Sequence, residues 1–177
     1  MTVSEIIQII ANFSVIVGIF FIASQVMIAA RTFRMDLDQR KKDRSFQYIA
    51  RWNDIDFNRM RRSVLIRFKN ITKENFAKEV PQIESDIECR GNTHLLLNFL
   101  EEVAIGVNYG HINFDIAFIY FGPLCVQYFE LLHLYIIRQR ELKHDPTIWI
   151  EIENLYSVVT KRLSEKYHVP PGRYWGA

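Results

Sequence analysis

The sequence predicts an all-α protein, with a single N-terminal membrane helix followed by a helical bundle. No residue from Ile6 to Ala30 is charged, and the first basic residue after them is Arg31. Beyond that run, apolar positions recur at helical spacing between recognisable cap and stop residues. The period-2 alternation of a half-buried strand is nowhere sustained.

The N-terminal element comes first. Twenty-five uncharged residues, Ile6 to Ala30, rise roughly 37 Å as a helix, enough to cross a hydrocarbon core of about 30 Å with some tilt. A cleaved signal peptide would carry a basic leading flank and a shorter apolar stretch. Here the leading flank holds Glu5 and no Lys or Arg, so the expectation is an uncleaved anchor over 1–33 and a cytosolic domain over 34–177. Arg31, Arg34, Arg40, Lys41, Lys42 and Arg44 follow the run against only Asp36, Asp38 and Asp43. By the positive-inside rule the N-terminus lies outside and the C-terminal domain in the cytoplasm.

No Gly or Pro intervenes between Gly18 and Pro81, which permits the first helix to continue as a stalk. Phe46, Ile49 and Trp52, then Phe57, Met60, Val64, Leu65 and Phe68, keep a helical period. Asp54 or Asp56 is placed to cap the second helix. Pro81 suits the first turn of a helix over 82–107, with Gly91 its weak point and Gly106 to Gly110 its end. Asn113 is expected to cap a short helix to Phe121, and Pro123 to restart another running to about Arg140. Asp145-Pro146 then opens a last helix reaching about His168, stopped by Pro170-Pro171. The apolar stretch Ile116 to Phe129 spans only 14 residues between Asp115 and Glu130. Its length and its internal Gly122-Pro123 fit a buried core helix pair better than a second span.

Charge is unevenly distributed. Residues 31–70 carry 12 basic and 5 acidic side chains, a net of +7, while residues 71–177 carry 10 basic and 14 acidic, a net of −4. A basic arm just after an apolar helix is drawn to anionic headgroups by about 1 kcal/mol per well-placed cation. RNA is the sharper alternative, and a solvated helix face the plainer one. Two cysteines, Cys89 and Cys125, make no disulfide framework and read as small buried hydrophobes. No Cys/His spacing suggests a metal site and no Gly-rich phosphate loop is present, so neither metal nor cofactor is expected.

The membrane helix is not uniformly apolar. At about 100° per residue, Ala11, Ser14, Gly18, Gln25 and Ala29 fall within roughly 60° of one another. Small residues let helix backbones approach, and Gln can hydrogen-bond across an interface where lipid offers no partner. A second polar strip, Gln8 and Asn12 with Glu5, lies about 90° away. Helices packed in a ring would use the first strip for neighbours and the second for a wet lumen. The plainer alternative places Gln8 and Asn12 near the headgroups.

Two Arg–His pairs share the spacing used by helical RNases of the HEPN class: Arg162-x5-His168 and Arg138-x5-His144. Such a His serves as acid or base and the Arg holds a phosphate. Arg90 and His94 stand one residue too close. The position after Arg162 is Leu163, where such motifs carry a polar residue, and helix-end cations also complement the helix dipole. His111 and His133 read as core or boundary residues.

These features together resemble the small membrane accessory proteins of type VI-B CRISPR systems, which accompany an RNA-guided RNase effector. The stretch from Leu97 to Gly110, continued in Phe121-Gly122-Pro123, is also similar to a wider group of bacterial membrane-anchored proteins of unassigned function. The resemblance implies a homo-oligomer in the bacterial inner membrane with a HEPN-like cytosolic domain. It further implies an antiphage-defence accessory that opens a pore, depolarises the membrane and enhances RNA-guided immunity. Arg162 and His168 match the motif spacing, and Leu163 departs from it. Two other readings stand beside the pore: a membrane-tethered, metal-independent RNase, and a scaffold that recruits an effector, or binds RNA, through the basic arm.

Overall fold

The computed structural model describes residues 3–167, without the side chains of Glu5, Ile7, Ile9, Ile10, Ala11, Lys166 and Tyr167. Among the described residues there are helices and no strands. The six helices are α1 (Val3–Trp52), α2 (Ile55–Phe68), α3 (Phe76–Ser85), α4 (Ile87–Asn108), α5 (Phe114–Lys143) and α6 (Ile150–Tyr167). The chain divides into two units within α1, the first ending at Arg40 and the second beginning at Lys41.

In the first unit the described apolar side chains are exposed. Phe13, Val17, Phe20, Phe21, Ile22 and Met27 are all exposed, and none of the most apolar window of α1 is buried. Two side-chain hydroxyls turn back on the helix. Ser24 Oγ donates to the Phe20 carbonyl at 2.8 Å and Thr32 Oγ1 to the Ile28 carbonyl at 3.0 Å. Arg40 pairs with Asp36 one turn earlier at 2.8 Å, both largely exposed. Such a pair contributes a few tenths of a kcal/mol.

The second unit is built around α4, which packs against α6, α2, α3 and α5, while α5 also packs on α6 and α2. The last turns of α1 carry Trp52, only 2% exposed, into this core. Its ring meets Phe57, Phe99, Phe121 and Tyr128 at 5.6–6.0 Å, and the Arg61 guanidinium covers it at 4.3 Å. Four aromatic neighbours from α2, α4 and α5 make Trp52 the point where these helices converge.

Side-chain caps start α2, α4 and α5. Asp54 accepts from the amides of Asp56 and Phe57 and starts α2; Asn113 accepts from the Ile116 amide and starts α5. Gly110, at φ +68°, takes the left-handed position after α4 that a side chain would strain.

Three expected boundaries differ. Pro81 lies inside α3, and the helix expected over 82–107 begins instead at Ile87, where Asp86 accepts from the Cys89 amide. Pro123 does not divide two helices: α5 runs unbroken from Phe114 to Lys143. The carbonyls these prolines leave without an amide partner belong to Ala77 and to Ile119 (75% exposed), both on the solvent side, where water can satisfy them. Asp145 does not cap α6 either. Its Oδ1 accepts from the Thr147 amide at 2.8 Å and the Thr147 hydroxyl at 2.6 Å, closing a turn before α6 opens at Ile150. Half of the most apolar window of α5 is buried, as a core helix requires, although the helix is long and apolar enough to cross a membrane.

Candidate functional site

On α1, Ser14, Gln25 and Ala29 are exposed, as are Gln8 and Asn12 on the second strip; Ala11 is among the residues whose side chains are not described. Gly18 has no atom within 4 Å of where a Cβ would stand. In a single chain the seam is therefore an open strip of small and polar groups.

The stretch from Arg31 to Arg44 is helical throughout. Arg31, Arg34 and Arg40 belong to the first unit, and Lys41, Lys42 and Arg44 to the second. Of these, Arg44 lines a cleft at the end of α1, discussed below. Ser45, fully buried, fixes this part of α1: it donates to the Lys41 carbonyl at 2.9 Å and accepts from the Asn113 amide at 3.0 Å. Arg51 reaches Glu102 of α4 at 2.8 Å and lies over the Phe99 ring at 5.1 Å.

Arg162 is engaged within the fold. Its guanidinium donates to Asp115 at 3.1 Å and stacks over Phe114 at 4.8 Å and Phe118 at 4.6 Å. It therefore ties α6 to the first turn of α5. His168 lies outside the described residues. In the second pair, Arg138 lies 4.0 Å from both Glu84 and Glu141, while His144 is the exposed, left-handed C-cap of α5 at φ 51°.

Arg90 and His94 make separate contacts. Arg90 donates to the Glu84 carbonyl at 3.1 Å, and His94 Nε2 shares a 3.0 Å hydrogen bond with the Tyr135 hydroxyl. Burial, then the positive charges of Lys143 and Arg90, hold the His94 ring below the usual histidine range. Burial, with Glu84 adding to it, pushes Tyr135 up to about 12. Both partners are therefore neutral at physiological pH, a packing hydrogen bond beside the Trp149 ring at 5.3 Å.

The most elaborate polar cluster closes the α5–α6 connection, and no local sequence pattern announces it. Glu101 of α4 accepts from the Glu151 amide at 3.2 Å and the Ile152 amide at 2.9 Å, satisfying two donors in the first turn of α6. Burial raises the Glu101 carboxyl despite those two bonds. Arg140 holds Glu153 at 2.8 Å and the Ile148 carbonyl at 2.8 Å. Trp149, at φ 53°, is kept in a conformation bulky residues avoid by its own Nε1 bond to Asn98 at 2.9 Å. His111 and His133, expected at the core or its boundary, are both exposed. Cys125 is buried, its thiol pushed up to about 12 by burial, while Cys89 is half-buried. No cluster of His, Cys, Asp and Glu among the described residues could hold a metal.

Residues 10–158 match the family model described as Domain of unknown function (DUF4760), and the chain belongs to that family. The matched region runs from the apolar part of α1 into α6; Arg162 and His168 lie beyond it. No curated protein and no solved structure matches the chain.

Proposed function

We propose that this protein is a membrane-anchored helical module that self-associates through α1 to form an oligomeric pore in a bacterial inner membrane. The pore depolarises the membrane in antiphage defence and enhances immunity delivered by an RNA-guided effector. One observation carries the assembly: α1 is long and apolar enough to span, is unburied along its most apolar window, and presents Ser14, Gly18, Gln25 and Ala29 on one strip. In lipid no hydrophobic force joins helices, so close approach at small residues and hydrogen bonding by Gln25 are what remains to drive association. Gln8 and Asn12, on the neighbouring strip, line the lumen of the ring. The cytosolic orientation follows from the arginines and lysines after the span. The defence role rests on the resemblance to type VI-B accessory proteins.

The engagement of Arg162 with Asp115, Phe114 and Phe118 supports a structural role over a nucleolytic one. Purified full-length protein in liposomes tests the reading: conductance above that of empty liposomes supports the pore. Metal-independent RNA cleavage lost in His168→Ala assigns the protein to RNases instead. Copurification of an effector without either activity leaves a scaffold.

A further inference from the structure

Three clefts on the second unit differ in the charge they present. One, lined by Arg67 and Cys89, carries three acids, Glu79, Asp86 and Glu88. Another, beside Phe68 and Leu131, is mostly apolar with Lys69 and Glu130 at its edge. The third, of about 590 Å³, lies between the last turns of α1 and the α4–α5 turn and is lined by Arg44, Arg51 and His111 against one acid, Glu102. Its size falls within the range of small-molecule sites.

The donors of this third cleft are available. Arg51 already satisfies Glu102 at 2.8 Å, which removes the one acid as a competitor and leaves further guanidinium donors. Arg44 and the His111 ring have no hydrogen bond or ion pair among the described residues, and the Lys41 ammonium lies over the neighbouring Gly110, 4.0 Å from where a Cβ would stand. The walls are joined by buried Ser45 and Asn113 at 3.0 Å, and the floor is set by Gly106, whose carbonyl accepts from the His111 and Ile112 amides at 2.8 and 3.0 Å. Two guanidiniums and an imidazole on preorganised backbone suit a compact, multiply charged oxyanion.

We propose that this cleft binds a phosphate group, and that its source is the headgroup of an anionic phospholipid. The choice of lipid over a free phosphate rests on the reading of α1 as a membrane span, because Arg44 belongs to the basic run that begins at Arg31, directly after the apolar residues. A headgroup bound there would fasten the domain to the inner leaflet at a defined point, in addition to the diffuse attraction of the arm.

The test uses the full chain in detergent, titrated by calorimetry with short-chain phosphatidylglycerol, short-chain phosphatidylcholine and inorganic phosphate. The expected result is saturable binding of phosphatidylglycerol, weakened roughly tenfold or more in the Arg44→Ala/His111→Ala double variant, with no saturable phosphatidylcholine binding. Neither side chain bonds another among the described residues, so helix content and the unfolding midpoint should stay those of the parent. Inorganic phosphate binding with the same dependence, and no preference for the lipid, upholds the phosphate site and assigns it a soluble ligand. Equal lipid binding by parent and variant, or no saturable binding of either anion, overturns the proposal. Alkaline carbonate extraction of the same membranes tests the span separately: release without detergent refutes the span and leaves the phosphate titration interpretable.

Discussion

Replacing Arg162 separates the structural from the nucleolytic reading of the C-terminal helix. Its guanidinium makes an ion pair with Asp115 at 3.1 Å, the two side chains being 43% and 73% exposed. Solvent screening at that exposure limits the pair to about 0.2–1 kcal/mol. Stacking over Phe114 and Phe118 adds about 0.5–1 kcal/mol, counted once because one guanidinium serves both rings. Arg162→Ala should therefore cost about 1–2 kcal/mol, a fall of roughly 3–6 °C in the unfolding midpoint of a domain of this size. Arg162→Lys keeps the charge but loses the planar stack, and should cost about half as much. Thermal unfolding followed by circular dichroism, with Asp115→Asn completing a double-mutant cycle, measures the coupling. An Arg162→Ala protein that unfolds with the parent, shows no coupling to Asp115 and loses chelator-resistant RNA cleavage would refute the structural account.

The remaining predictions address the connections around α4 and the arm. Gly106→Ala should destabilise the domain by up to about 2 kcal/mol in urea unfolding: the new Cβ would meet three atoms of buried Ile112 at 3.3 Å, a crowding that outweighs the roughly 1 kcal/mol alanine gains over glycine in a helix. Glu101→Gln should change how stability varies with pH. The folded-state carboxyl is raised above its ordinary value of 4.5, so the folded form holds its proton longer. The parent therefore loses stability as pH rises from the unfolded value through the folded one. Urea midpoints compared across that window should show the variant gaining on the parent as pH rises; a constant difference would contradict a raised Glu101. Reversing Arg40, Lys41, Lys42 and Arg44 to Glu should impair protection of cells more than changing Arg162 and His168. Protection equal to the parent would reduce the arm to a solvated surface.

Local signals were legible and long-range ones were not. Asp54 and Asn113 were readable as caps because a short polar acceptor stands directly before an apolar period, and both accept the amides that such residues serve. Pro123 misled for a related reason. Proline forbids one hydrogen bond, and only the packed helix reveals that the freed carbonyl belongs to exposed Ile119, while a Cβ on Gly122 would stand 3.4 Å from Val159. Asp145-Pro146 carried the residues of a cap, yet Thr147 supplies a nearer pair of donors and diverts the Asp into a turn. The partner of Arg162 lies 47 positions away, and Glu101 serves amides about 50 positions away. No local pattern announces either. The exposure of His111, which makes it a ligand candidate, depends on the turn that Gly106 and Gly110 permit.

The mass of the full chain in detergent, measured by light scattering for the parent and for Gly18→Leu, tests the central claim most directly. Because, beyond its own stretch of helical backbone, no atom of the described residues lies within 4 Å of a Cβ at Gly18, a Leu there meets no neighbouring element within one molecule. Any change must arise between molecules, where the larger side chain holds neighbouring helices apart. The account predicts a multimeric parent and a Gly18→Leu protein shifted to fewer subunits, with the unfolding midpoint of the helical domain unchanged. A monomeric parent, or a variant of the same mass as a multimeric parent, would contradict assembly through the α1 seam.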